Sequence, residues 1–256
     1  VKNLFSVEGK TALVTGGSSG IGTMIARGYV ENGANVYIAS RKKEACDAVA
    51  AELSELGRCT AIPADLSTEA ACRRLADEIA EREGKLDVLV NNAGANWGAP
   101  LEEYPDSAWD KVLALNVKAV FHLTRSLVPT LAAAATDEDP ARVINIGSID
   151  GLKPPMLETY AYSASKAAVH HMTRVLAKKL APQRITVNAV APGPFQSKMM
   201  RATLERFGDS IASTNPLGRI GCDEDMAGIS IFLASRAAAY VTGTVIPVDG
   251  GISTTS

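Results

Sequence analysis

The chain has 256 residues, 46% hydrophobic and 21% charged, ordinary usage for a globular protein long enough to bury a large core. Its 26 Lys and Arg nearly balance 28 Asp and Glu, and a net charge of −2 offers nothing to nucleic acid or an anionic membrane. The uncommon feature is 21 glycines beside only 5% aromatic residues. No run of about 18 apolar residues exists, so no transmembrane helix is expected. The N-terminus lacks the basic, apolar and small-residue pattern of a secretory signal. Cys46, Cys59, Cys72 and Cys222 form no C-x-x-C pair and read as reduced structural thiols, which fits a cytoplasmic protein. His122, His170 and His171 are too few for a zinc site or a histidine triad, so no metal is expected.

Short apolar runs alternate with longer segments of helical period. Residues 12–15 read as a strand and 21–31 as a helix; 35–39 and 44–56 repeat the pair. A third strand spans 59–64, followed by a helix over 68–82 with Ser67 as a candidate N-cap. Residues 86–90 form a fourth strand, with helices predicted at 107–115 and 117–134. A fifth strand covers 142–146, a long helix 160–180, and a sixth strand 185–189. A helix over 223–234 and a strand over 244–248 complete the pattern. Such alternation predicts one α/β domain over residues 1–256: a doubly wound, Rossmann-like, seven-stranded parallel sheet with helices on both faces. The most polar break, residues 136–140, is only of loop length.

The first glycine cluster joins the first strand to the first helix. Gly16, Gly20 and Gly22 are spaced G-x-x-x-G-x-G, with Ser18, Ser19 and Ile21 among them. Glycines there let the backbone approach a pyrophosphate, whose charge meets the amides of the helix N-terminus. At the end of the second strand, where selection of NAD calls for a carboxylate, the chain reads Ser40, Arg41, Lys42, Lys43. Arg41 can pair with a 2′-phosphate, so NADP(H) is the expected cofactor. The alternative is a solvated basic start to the second helix, which would oppose the helix dipole.

Tyr162 and Lys166 stand at i and i+4, on one helix face. A phenol is a poor acid or base near neutral pH, and a cation one turn away favours the phenolate. That makes Tyr162 a candidate general acid/base. Ser148 ends the fifth strand, Asn91 to Gly94 follow the fourth, and Asn116 separates two predicted helices.

These residues resemble the short-chain dehydrogenase/reductase family over nearly the whole chain. The likeness rests on residues 15–22, Asp65-Leu66, residues 91–94, Asn116, Ser148, Tyr162 and Lys166, Pro192-Gly193 and residues 248–251. Residues 96–102, 141–147 and 191–197 look most like the 3-oxoacyl reductases of the rhamnolipid-synthesis type. The resemblance implies that Tyr162 protonates a carbonyl oxygen as hydride arrives, and that Ser148 bonds that oxygen. Lys166 would hold the nicotinamide ribose and depress the Tyr162 pKa, and Asn116 would hold a relay water. Asp65 and Leu66 would contact the adenine, unless Asp65 only caps the next helix. Asn92, Ala93 and Gly94 would line the middle of the cofactor, with Asn92 bonding the sheet, unless Asn92 is purely structural. Pro192, Gly193 and Ser197 would flank its nicotinamide end.

Substrate loops should follow strands four to six. They offer Trp97, Tyr160, Phe195 and Met199 as an apolar lining, with a lid and its own short helix at about 194–216. Asp150, two residues beyond Ser148, would either bond a substrate hydroxyl or face solvent. The expected activity is reduction of a ketone or acyl thioester; oxidation of a sugar, polyol or steroid alcohol is the alternative, and a silent cofactor sensor a second one. The weak basic character near the pocket counts against a carrier-bound acyl group. The resemblance implies a homotetramer or dimer.

Overall fold

The computed structural model describes residues 2–197 and 200–255. Seven parallel strands run in the order β3-β2-β1-β4-β5-β6-β7. They are β1 (Thr11–Thr15), β2 (Asn35–Ser40), β3 (Arg58–Pro63), β4 (Val88–Asn91), β5 (Ala141–Ile146), β6 (Ile185–Pro192) and β7 (Val245–Val248). The helices are α1 (Ile21–Glu31), α2 (Lys43–Ser54), α3 (Glu69–Glu83), α4 (Asp106–Leu113), α5 (Ala119–Ala134), α6 (Tyr160–Leu180), α7 (Arg201–Thr214) and α8 (Asp223–Ala234). The strand order reverses beside β1, so the crevice between β1 and β4 is the expected ligand position.

Side chains alternate between two buried layers because successive strand residues face opposite sides of the sheet. Ala12, Val14, Val36, Ile38, Val88 and Val90 pack with Ile25 and Tyr29 of α1, Leu53 of α2 and Leu233 of α8. Leu13, Tyr37, Leu89 and Val143 pack with Leu75 of α3, Leu123 and Leu127 of α5, and Leu180 of α6. Both faces are covered, as the near-continuous apolar strands require.

Three expectations are corrected locally. Thr68, not Ser67, caps α3: its hydroxyl accepts from the Ala71 amide, and the Ser67 amide donates to Asp65 instead. The helices expected at 107–115 and 117–134 are α4 and α5 joined without a break by a π turn at Ala114–Lys118. The helix in the 194–216 segment is not short: α7 takes 14 residues of it.

A row of buried polar side chains fixes α5 and α6 against the sheet. Asn91 of β4 donates to Thr124 of α5 at 3.0 Å and to Asn145 of β5 at 2.9 Å. Asn145 donates in turn to Thr173 of α6 at 2.9 Å, and Thr173 donates to the Val169 carbonyl. All four residues in the row are at most 4% exposed, so each lost bond leaves a desolvated polar group behind. Replacing Asn145→Leu should cost roughly 2–3 kcal/mol of stability, read as a lower urea midpoint with an unchanged slope. A midpoint equal to that of the parent would show that the row contributes nothing.

Candidate functional site

The glycine turn between β1 and α1 is shaped by close approach. Gly16 and Gly20 have left-handed backbones, with φ of 66° and 56°. A Cβ at Gly16 would come within 2.7 Å of Asn92 Nδ2, and one at Gly22 would overlap the Gly16 carbonyl. Asn92 holds this turn: its amide donates to the carbonyls of Thr15, at 2.9 Å, and Gly16, at 3.2 Å. The Thr15 hydroxyl accepts the amides of Asn92 and Ala93, each at 3.0 Å, and donates to Val90. The Asn92 amide nitrogen is therefore spent on the turn.

Helix α1 begins at Gly20 with no side-chain cap and no acidic residue in its first turn. Its first amides and the positive end of its dipole are available to an anion. Ser18 and Ile21 are half-buried there, and Ser19 is exposed. Ser40, at the tip of β2, has a buried hydroxyl without a hydrogen-bond partner, and Arg41 beside it is exposed. These features fit a dinucleotide with a phosphorylated ribose. Asp65 is exposed at the end of β3, whereas Leu66 is 4% exposed and belongs to the core. At the far end, Pro192 ends β6 and Gly193 lies so close to β7 that a Cβ would come within 2.7 Å of Asp249 Cβ. Ser197 accepts the Met200 amide at 3.2 Å and sits against Gly20, so the root of the 194–216 segment borders the glycine turn.

Ser148, Tyr162 and Lys166 meet at the carboxyl edge of β5. Ser148 is 7% exposed and extended, and its hydroxyl accepts the Asp150 amide at 3.1 Å. Lys166 is 5% exposed; its ammonium donates to the Ile146 carbonyl at 2.7 Å and lies 5.4 Å from the Tyr162 ring centre. Burial pushes the Tyr162 phenol up to about 12; the neighbouring Ser148 hydroxyl pulls it down, and the Asp150 carboxylate adds to the rise. Burial brings Lys166 down to about 8, opposed by Asp150. The expected depression of the Tyr162 pKa by Lys166 is thus not what this arrangement produces. Burial dominates, and the phenol is protonated at neutral pH.

Asp150 is half-buried, and burial raises its own pKa, with Lys166 opposing. Asn116, 2% exposed in the π turn, accepts the Ala95 amide at 2.8 Å. It donates to the Ala95 carbonyl at 3.0 Å and to Ser165 Oγ at 2.9 Å. Its side chain locks the loop after β4 to α6; both amide hydrogens are engaged, and Oδ1 keeps one acceptor position.

The substrate-side residues divide. Trp97 is exposed at the loop after β4, with the Lys111 ammonium 5.1 Å over its ring. Tyr160 turns from Tyr162 to line a neighbouring cavity of about 690 Å³ with Leu101, Tyr104, Trp109, Pro155 and Leu157. Its hydroxyl donates to Glu158, and its ring meets Tyr104 edge-on at 5.2 Å. Sequence reasoning does not single out Tyr104 and Trp109; two aromatics five apart, one just before α4 and one within it, are the available signal in so aromatic-poor a chain. Phe195 is not a pocket wall. It is 2% exposed and packs in the core where Gly221 leaves room for its ring. Met199 lies outside the described residues.

The sequence profile of the short chain dehydrogenase family matches residues 10–206. The rhamnolipids biosynthesis 3-oxoacyl-[acyl-carrier-protein] reductase of Pseudomonas aeruginosa is 52% identical over 96% of this chain and 97% of its own. A gluconate 5-dehydrogenase of Gluconobacter oxydans is 34% identical over 98% of this chain and 97% of its own. Among solved structures, an NADP active-site complex of Pseudomonas aeruginosa RhlG superposes with a TM-score of 0.95 at 50% identity, covering 99% of this chain and 100% of that one.

Because the Asp150 carboxylate raises the Tyr162 pKa, Asp150→Asn should let the phenol ionise at lower pH. A titration of carbon-labelled tyrosine by NMR, with Tyr162→Phe to identify the signal, checks this. An unmoved midpoint would remove Asp150 from the electrostatics of Tyr162.

Proposed function

Given that the chain belongs to the short-chain dehydrogenase family, we propose that it is an NADP(H)-dependent carbonyl reductase acting on a ketone or 3-oxoacyl group. The observation that carries the reading is the meeting of Ser148, Tyr162 and Lys166 at the sheet edge that also presents the uncapped N-terminus of α1. The likeness to a reductase of 3-oxoacyl groups and to a fold bound to NADP supports it. The cofactor would lie with its pyrophosphate on Gly16 to Gly22 and its 2′-phosphate at Ser40 and Arg41; when bound, it supplies the hydride.

The protein's own part is the proton. Tyr162 holds it at Oη, since its pKa is pushed up to about 12, and releases it to the carbonyl oxygen as negative charge develops there. Ser148 accepts the Asp150 amide at Oγ, which leaves its own proton to donate to that oxygen. Lys166, pushed down to about 8 and anchored on Ile146, orients the sugar next to the nicotinamide. A water feeding the relay would be held at the π turn, by donating to the remaining acceptor position of Asn116 Oδ1 or to the backbone there, since both Asn116 amide hydrogens are engaged.

Oxidation of a hydroxylated substrate is a second reading, favoured by the half-buried Asp150 beside Ser148 and by the likeness to a gluconate dehydrogenase. A homotetramer or dimer in the cytoplasm is the expected assembly. Phe121 and Val175 are exposed on α5 and α6, and so are the small residues Ala164, Ala167 and Ala168. No helix among the described residues is long and apolar enough to cross a membrane.

Tyr162→Phe should lower turnover by roughly 10²–10⁴-fold while NADPH, followed by its fluorescence, binds as before; equal turnover would overturn the mechanism. NADPH should exceed NADH in kcat/KM, and Arg41→Ala should reduce that preference roughly tenfold. A clear preference of the parent for NADH would refute the cofactor assignment. Across a carbonyl and alcohol panel that includes an acetoacetyl thioester, Asp150→Ala should change the ranking of hydroxylated against plain substrates. An identical ranking would leave Asp150 without a substrate contact.

A further inference from the structure

One buried titratable group takes no part in this proton chemistry. His170 lies one turn beyond Lys166 on α6 and is 3% exposed. Its Nε2 faces the backbone amide of Ser148 at 3.4 Å. The ring is seated between the two glycines that bracket residues 148–150. A Cβ at Gly147 would overlap Nε2, and one at Gly151 would come within 2.8 Å of Cε1. Neither glycine has a left-handed backbone, so it is the approach of the imidazole and of α6 that excludes a side chain.

We propose that His170 is a positioning residue for Ser148: the neutral ring accepts the Ser148 amide at Nε2 and so sets the serine hydroxyl against Tyr162. The assignment rests on the reading of Ser148 and Tyr162 as the reacting pair. Burial drives the ring pKa down to about 4, with the Gly151 backbone opposing and the cations Lys166 and Arg174 reinforcing. At working pH the ring is therefore neutral and able to accept. If Nε2 accepts, Nδ1 carries the ring proton. Nδ1 is buried without a well-formed hydrogen bond, although the Gly151 backbone lies close enough to favour a proton on the ring.

The segment around Ser148 is then held from three sides. The Gly147 amide bonds the Val190 carbonyl at 2.7 Å, Lys166 holds the Ile146 carbonyl at 2.7 Å, and His170 holds the Ser148 amide. At 3.4 Å the last contact is long, so its effect is expected on geometry more than on stability. A serine displaced by a fraction of an ångström loses its alignment with the carbonyl oxygen.

Two measurements test this. In nitrogen-15 NMR of the whole protein, His170 should show an unprotonated Nε2 and a protonated Nδ1; a proton on Nε2 overturns the proposal. With the best substrate of the panel, His170→Leu should lower kcat about tenfold with KM for NADPH within about twofold, and His170→Gln, which restores an acceptor, should recover most of the loss. Equal kcat in the Leu and Gln variants overturns the proposal as well. If His170→Leu does not fold, the nitrogen spectrum of the parent decides. A parent inactive on every carbonyl would count against the reductase reading alone, and the spectrum would still decide the His170 assignment.

Discussion

The constraint on which the site depends is the buried polar row from Thr124 through Asn91 and Asn145 to Thr173. Hydrophobic packing alone would let α5 and α6 slide on the sheet, because dispersion contacts are many and non-directional. Hydrogen bonds in a dry interior are directional, and losing one there is costly. The row ties one residue on each helix to one on each central strand. Asn91 immediately precedes the segment that clamps the glycine turn, and Asn145 lies three residues before Ser148. Thr173 lies seven after Lys166, two turns along the same helix face. The glycine turn and the Ser148, Tyr162 and Lys166 cluster therefore share one frame.

Within that frame the electrostatics are set by burial more than by pairing. A tyrosine and a lysine one turn apart suggest a lowered phenol pKa, and in water the cation would act that way. Here both groups are desolvated and Asp150 stands near both. Desolvation disfavours phenolate and ammonium alike, so it raises the tyrosine and lowers the lysine. A protonated phenol beside a weakened ammonium suits donation to a developing alkoxide.

Backbone economy recurs around the site. Asn92 and Asn116 carry the side-chain chemistry of binding residues, yet each spends its amide nitrogen on the chain, one on the glycine turn and the other on Ala95 and Ser165. Such residues hold the loops after β4 at the spacing a cofactor needs. Gly147 and Gly151 serve a comparable end: the absence of a Cβ lets α6 and its imidazole reach the strand that carries Ser148.

The strand and helix alternation, the glycine turn and the Tyr162–Lys166 pair were legible in the sequence because each is a local pattern: a period of two or 3.6, a missing side chain, a spacing of one helical turn. The strand ends were read to within one to three residues, since pairing with a distant neighbour decides where a strand stops; β6 continues to Pro192 because β7 lies beside it. Phe195 has the composition of a pocket wall and became core only because Gly221, far along the chain, leaves space for its ring. Tyr160 and Tyr162 differ by two residues, but their places on the helix send one to an outer cavity and the other to Ser148. The sequence by itself thus determined the fold class and the residues Ser148, Tyr162 and Lys166 that gather at one sheet edge. Only the tertiary structure decided which side chains are desolvated, which are spent on the backbone, and that a histidine sits behind the serine, because burial and hydrogen-bond partnership belong to residues brought together from distant parts of the chain.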